Sequence, residues 1–443
     1  MIRQMDQPQD PATHSPAHRQ RWPTVREARI SLALLLAINL FNYVDRYVLA
    51  AVVPRIRQTF FPDTGPSELG LTGTLATAFI VSYMLTAPIF GWLADRMSRW
   101  VLAGCSVIVW SLLTGGSGLA GTFSILLLTR LMVGIGEAGY GPAAPTIISD
   151  LFPIQRRGQV LAWFYMAIPV GSALGYAIGG LVGSWLGWRA AFYVVTPPGL
   201  LLGLLCFLRK DPPRGASDQS QGRQKRAGLA DYLVLLRTPS YVLDTAGMAA
   251  MTFAVGGIAF WMPTYFHEFR RAGTLAHVNL VFGATTVVAG IAATWLGGIT
   301  GDKLRGRFPG SYFLVSAMGI LACCPLIVLM MYVPFPWAWG ACFAAEFCLF
   351  FNTGPSNTIL ANVTHPSVRA TAFAMNIFLI HALGDAPSPP ILGKIAERLG
   401  WNAAFGLVTL VTAVGGLLWL AGSKFLAADT AAAPNRIAPG PAA

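Results

Sequence analysis

The sequence predicts an all-α membrane protein of twelve transmembrane helices, arranged as two six-helix bundles. Three observations lead there. Of 443 residues, 54% are hydrophobic and only 11% charged, about half the charged share of a soluble domain. The apolar residues gather in stretches long enough for the roughly 20 residues that a span requires. The second set of six stretches repeats landmarks of the first.

Taken in order, the chain opens on a polar, basic, Pro-containing tail (1–29) with no apolar core of a signal peptide. Spans follow near 30–56, 68–94, 100–120, 123–150, 157–185 and 188–208, forming the first bundle (30–208). The linker 209–238 begins RKDPPRGASDQSQGRQKR, a flexible composition. It ends LADYLVLL, which fits a short helix on the membrane surface. The second bundle (239–426) holds spans near 239–268, 273–302, 310–333, 336–363, 368–398 and 402–426, and a tail closes the chain (427–443).

The repeat is specific. LGWRAAF (186–192) returns as LGWNAAF (399–405), an offset of 213. That offset also carries Gly141-Pro142 onto Gly354-Pro355, Pro153 onto Pro366 and Arg156 onto Arg369. GWLADRMSR (91–99) is echoed by GITGDKLRGR (298–307), which sets Asp302 against Asp95.

The net charge of +12 is not one patch. On this map 22 Lys/Arg lie on the N-terminal side and 7 opposite, so both termini are expected in the cytoplasm. Nucleic acid is not an expected partner; the bilayer and its anionic headgroups are. The six cysteines all fall inside spans, and the six histidines show no metal-site spacing. No nucleophile–base constellation or P-loop appears, so neither an enzyme nor a cofactor is expected.

One feature breaks the apolar pattern: FNYVDRYVLA (41–50) sets Asp45 and Arg46 inside the first span. Arg130 and Glu137 sit in the fourth span, Glu346 in the tenth, and His381 with Asp385 in the eleventh. Each such group costs about 2.5–3.5 kcal/mol at a helix centre, and survives facing a bundle interior or aqueous cavity. Arg130 and Glu137 are two turns apart and share a face, whereas Asp45 and Arg46 point about 100° apart. These four could form a neutral cluster that only holds two helices together. The repeat argues against it: Arg130 and Glu137 map onto Phe343 and Phe350, and Asp45 falls opposite Ala254. A one-sided cluster in a two-fold scaffold is better read as a working site for protons. In a low-dielectric cavity, desolvation favours the protonated carboxyl and a neighbouring guanidinium the ionised one. Asp45 is the expected carrier, Arg46 or Arg130 its switchable partner, and Glu137 the alternative carrier.

Substrate contacts are expected from the same positions. Arg46 and Arg130 suit a phosphate, and Tyr43 belongs to a set of aromatics on spans 1, 4, 5 and 7 able to line an apolar chamber. His381 either completes the opposite wall or simply satisfies Asp385; Asn352 and Asn376 are further candidates there. At the cytoplasmic ends, Asp95, Arg96, Arg99, Arg156 and Asp302 read as a gating latch. Gly171, Gly175, Gly179, Gly183 and Gly187, one at every fourth position, let a second helix approach closely and slide.

The loop residues Gly91, Leu93, Asp95, Arg96 and Arg99 resemble the signature loop of the major facilitator superfamily, although Trp100 stands where a basic residue is usual. Within it, NYVDRYVLAAVVP (42–54), LTRLMVGIGEAGYGPAAPTIISDLF (128–152) and FYMAIPVGSALGY (164–176) resemble the spinster group of lipid transporters. That resemblance implies alternating access and an amphiphilic, anionic small molecule of the lysophospholipid or sphingosine-1-phosphate kind. It also implies function at the charged positions of spans 1 and 4. A water-soluble organic anion or a drug is the rival cargo, and a lipid enzyme a remote third reading. A bacterial inner membrane is expected from the short loops, and the protein is expected to be a monomer.

Overall fold

In lipid a helix satisfies its own backbone hydrogen bonds, and each regular element among the described residues is helical. The computed structural model describes residues 24–62, 67–152, 154–213, 234–365 and 368–436, without side chains at 154–159, 162, 370 and 435. Ten helices there are long and apolar enough to cross a membrane. Most of the linker, including the expected surface helix up to residue 233, lies outside the described residues.

Helix α1 (Val25–Phe60) begins earlier than hydropathy alone predicts. Thr24 and Glu27 form a reciprocal cap, with the Glu27 carboxylate accepting the Thr24 N–H at 2.7 Å. Next come α2 (Leu69–Ala94), α3 (Arg99–Gly118), α4 (Phe123–Ala138) and α5 (Tyr140–Leu151). The expected span 123–150 is thus interrupted at Gly139, beside Glu137. Helices α6 (Ile154–Leu186) and α7 (Trp188–Cys206) complete the first half of the chain.

In the second half, α8 (Pro239–Thr264) runs into a π-helical turn, Tyr265–Phe269. Then follow α9 (Leu275–Arg305), α10 (Ser311–Tyr332), α11 (Trp337–Phe350) and α12 (Thr353–Val363). The expected span 336–363 is broken between α11 and α12, at Asn352. Helix α13 (Arg369–Ile380) continues through a second π-helical turn, His381–Asp385, into α14 (Ser388–Leu399). Helices α15 (Trp401–Gly422) and α16 (Leu426–Ala432) and a short 3-10 turn, Ala433–Asn435, close the described residues. The repeat is visible in the backbone. Gly187 and Gly400, 213 apart, have φ of 86° and 83°, and each starts a helix on the following Trp.

The glycine stripe of α6 packs on α1. A Cβ on Gly171 or Gly175 would lie 2.7 Å from the carbonyl oxygen of Leu40 or Val44. Gly187, at the end of the stripe, meets nothing and serves the turn instead. Between the halves, α6 packs on α9 and α2 on α14, where a Cβ on Gly73 would come within 2.6 Å of the Pro389 backbone. Polar contacts bridge the same seam: Arg57 to Glu268 at 2.8 Å, Gly70 N–H to Glu397 at 2.7 Å, and Asn279 to the Ala51 carbonyl at 3.1 Å. These bridges lie at the end of the molecule where α1 finishes and α2 begins.

Close packing also fixes α4, the helix that carries Arg130 and Glu137. A Cβ on Gly134 would sit 2.2 Å from both the Phe79 carbonyl and Ser82 Oγ on α2. Gly134→Ala is therefore expected to cost about 1–3 kcal/mol through forced displacement of α4. Thermal unfolding of the detergent-purified variant measures it, and an unchanged midpoint would contradict this packing.

Candidate functional site

Because Asp45 and Arg46 point to different sides of α1, each meets a different partner. Arg46 reaches α4, where its Nη2 and Nε lie 2.8 and 2.9 Å from Glu137 Oε2. Its guanidinium also lies over the rings of Tyr43, Phe79 and Tyr83, at 5.1, 4.7 and 5.4 Å from the centroids. Cation–π attraction of this kind strengthens when water is excluded. Asp45 turns toward α3 and Arg130. Asp45, Arg130 and Glu137 are only 3%, 2% and 1% exposed.

These four side chains nevertheless line one chamber. The first half contributes Tyr43, Tyr47, Phe79 and Val133; the second contributes Gly256, Ala259, Phe260, Asp385 and Pro389. Its charge is uneven, with two acids and two bases on one wall and Asp385 on the other. That matches the asymmetry between repeats read from the sequence.

Arg130 is the least conventional member. Its hydrogen bond runs to a neutral hydroxyl, Nη2 donating to Ser117 Oγ at 2.5 Å. Its Nε is buried without a partner among the described residues, and the guanidinium lies 5.2 Å from the Phe192 ring centroid. A buried cation satisfied in this way is well suited to an arriving anion.

The other expected site residues are distributed differently. His381 Nδ1 lies 2.9 Å from Asp385 Oδ1, and it is Asp385 rather than His381 that lines the chamber. Asn376 is buried away from that wall, its Nδ2 donating to Thr245 Oγ1 at 3.0 Å. Asn352 is buried at the helix break, bonded to the Leu349 carbonyl at 2.6 Å. Both amides serve local backbone and helix contacts in this arrangement. Glu346 accepts from Thr286 Oγ1 at 2.6 Å and faces a side cavity shared with Tyr47, Tyr176 and Phe282.

At the opposite end, Arg99 is buried and tied within its own half. It donates to Asp150 at 2.5 Å and Asp211 at 3.0 Å, and to the Pro212 carbonyl at 2.8 Å. Arg99 thereby pins the start of the linker. Arg96 folds back over Trp92, 4.0 Å from the ring centroid, and Asp302 accepts from Tyr312 at 2.8 Å. Asp95 caps the end of α2 through its backbone. The side chain of Arg156 lies outside the described residues. Sequence reading missed two things here: the α3 hydroxyl that holds Arg130, and Asp244, a fully buried acid on α8 that accepts from Trp419 Nε1 at 3.1 Å. Asp244 lies only five residues into its helix, where an acid reads as a solvated terminus.

The family model of the Major Facilitator Superfamily matches residues 35–389. The chain belongs to that superfamily. Within the superfamily it is a spinster-like transporter. It is 36% identical over 440 residues to protein spinster homolog 3 of Danio rerio, covering 92% of this chain and 87% of that protein. With protein spinster homolog 1 of Homo sapiens it shares 37% identity over 436 residues, covering 90% and 81%. A crystal structure of a bacterial homolog to the human lysosomal transporter Spinster, inward-facing and unoccupied, superposes with a TM-score of 0.76. At 23% identity over 93% of this chain and 98% of that one, it carries the fold. Membership of this superfamily and the spinster homologs indicate a transporter rather than an enzyme.

Proposed function

We propose that this protein is a secondary active transporter which moves an amphiphilic, anionic lipid of the lysophospholipid or sphingosine-1-phosphate kind by alternating access, coupled to protons. Twelve spans in two six-helix bundles (30–208 and 239–426) would rock about the chamber, joined by the linker 209–238. The Lys/Arg asymmetry supports cytoplasmic termini and the short loops a bacterial inner membrane, with the protein acting as a monomer without a cofactor. On that orientation the bridges Arg57–Glu268 and Gly70–Glu397 close the outer face. Asp95, Arg96, Arg99, Arg156 and Asp302 belong to the inner gate.

One observation supports the reading above all: Arg130 stands in the chamber wall bonded to a neutral serine, beside Asp45. A phosphate entering a chamber lined by Phe79, Val133, Ala259 and Phe260 finds an available guanidinium among apolar contacts. As it draws Arg130 away, Asp45 loses its compensating charge and takes a proton from the chamber. The two fluxes are then linked. Arg46 and Tyr43 complete the headgroup end, with Glu137 holding Arg46 in place.

Liposomes test this. Saturable counterflow of labelled sphingosine-1-phosphate or lysophosphatidylglycerol is expected, with the lipid recovered chemically unchanged. Arg130→Ala should weaken anionic lipids roughly 10- to 100-fold, the worth of a charge-assisted hydrogen bond. Unaltered competition by both lipids in that variant would remove Arg130 as the anchor. Counterflow of small organic anions alone would favour the water-soluble cargo.

A further inference from the structure

Helix α3 was expected only as a span. Yet Trp110, Thr114 and Ser117, at i, i+4 and i+7, share one face, and that face is 1% exposed or less. It looks onto the two charges that matter most. Ser117 Oγ receives Arg130 at 2.5 Å. The Ser117 proton is directed to the Leu113 carbonyl at 3.0 Å or Thr129 Oγ at 2.9 Å, and Thr129 donates its own to the Leu126 carbonyl. A Ser117 lone pair is thereby held toward the guanidinium. One and two turns earlier, Thr114 Oγ1 and Trp110 Nε1 stand beside the Asp45 carboxylate. Those two atoms, Asp45 Oδ1 and Arg130 Nε are all buried without hydrogen-bond partners among the described residues. Four orphaned polar atoms in one place are costly, and an orphan set of this kind fits a site with two arrangements.

We propose that the polar face of α3 positions the proton exchange: Ser117 parks the Arg130 guanidinium off Asp45, while Trp110 and Thr114 supply the donors that receive the ionised Asp45 carboxylate. This deepens the proton-coupling reading given above and rests on it. Arg130 keeps its charge throughout. When an anion takes the guanidinium, the carboxylate releases its α3 donors and binds one proton from the chamber; the reverse step returns that proton. The groups around Asp45 are Arg130 and Glu137 from α4, Arg46, Tyr43 and Tyr47 from α1, Trp110 and Thr114 from α3, and Asp385 across the chamber.

The two parts of the face predict opposite shifts. Trp110→Phe and Thr114→Val each remove a donor to the ionised carboxylate, so the pH profile of Asp45 protonation moves up. Ser117→Ala frees Arg130 to pair with Asp45, so the profile moves down, and Ser117→Thr restores it. Each shift is about one pH unit, the worth of one hydrogen bond to a charged group.

Infrared titration of the detergent-purified protein reads this without any transported lipid, with Asp45→Asn assigning the carboxyl band. An upward shift in Thr114→Val, a downward one in Ser117→Ala and a wild-type profile in Ser117→Thr support the proposal. A merely structural role for α3 would lower the unfolding temperature and leave the profile in place. Wild-type profiles in Thr114→Val and Ser117→Ala, or shifts of reversed sign, overturn the role of α3 and leave the carrier role of Asp45 standing. If no Asp45-dependent band titrates in the unmutated protein, the proton-coupling reading falls and this proposal with it.

Discussion

Asp45→Asn is expected to abolish proton-driven accumulation while leaving the protein folded and able to exchange cargo. The substitution keeps the shape of the side chain and one acceptor oxygen, so packing against α3 survives. It removes the only change of charge that the site requires. In liposomes with an imposed pH gradient, the inside-to-outside ratio of labelled lipid should fall to about 1, whereas counterflow without a gradient should persist. The expected effect is large because coupling is lost entirely: a carrier that cannot bind the proton cannot store free energy from it, however well it binds its cargo. Uphill uptake at the unmutated level would take Asp45 out of the mechanism and shift attention to Glu137.

The second large effect separates scaffold from function. Glu137 is sealed from solvent and paired with Arg46, whose side chain is 24% exposed. Glu137→Ala leaves a guanidinium mostly buried without its acid, which costs about 3–5 kcal/mol for a fully buried pair. With Arg46 partly open to the chamber, the lower end applies. Replacing both partners by apolar groups, as in Arg46→Met with Glu137→Leu, should recover most of that stability, because the pair also carried a desolvation penalty. Transport should stay lost. Denaturant unfolding in detergent measures the first quantity and liposome counterflow the second. If the double variant transports normally, the Arg46–Glu137 pair only holds α1 to α4.

These two experiments rest on features of unequal visibility in the sequence. The formal charges of Asp45, Arg46, Arg130 and Glu137 stand out because charge inside an apolar span is expensive, and all four line the chamber. The repeat was equally legible in LGWRAAF and LGWNAAF, and the structure adds that Gly187 and Gly400 both take a positive φ. Pairing was not. Helical geometry shows that Asp45 and Arg46 diverge, but the choice of Glu137 for Arg46 and Ser117 for Arg130 depends on how α1, α3 and α4 are rotated against each other. Ser and Thr in spans commonly bond the carbonyl one turn back, as Thr286 and Thr412 do here. Ser117 therefore carries no signal until α4 is placed beside it. The interruption at Asn352 is not marked, because hydropathy runs on through it, whereas the one at Gly139 falls in the Gly-rich segment GIGEAGYGP (134–142), a composition that already weakens a helix.

The central claim is that cargo and proton compete through one arginine in a chamber shared by both halves. It is tested most directly by adding sphingosine-1-phosphate to the purified protein in weakly buffered detergent and recording proton uptake. The account predicts uptake approaching one proton per lipid bound, absent in Asp45→Asn and in Arg130→Ala. Saturable binding with no proton taken up at any pH between 5 and 8, roughly the range in which such coupled groups exchange, would contradict it.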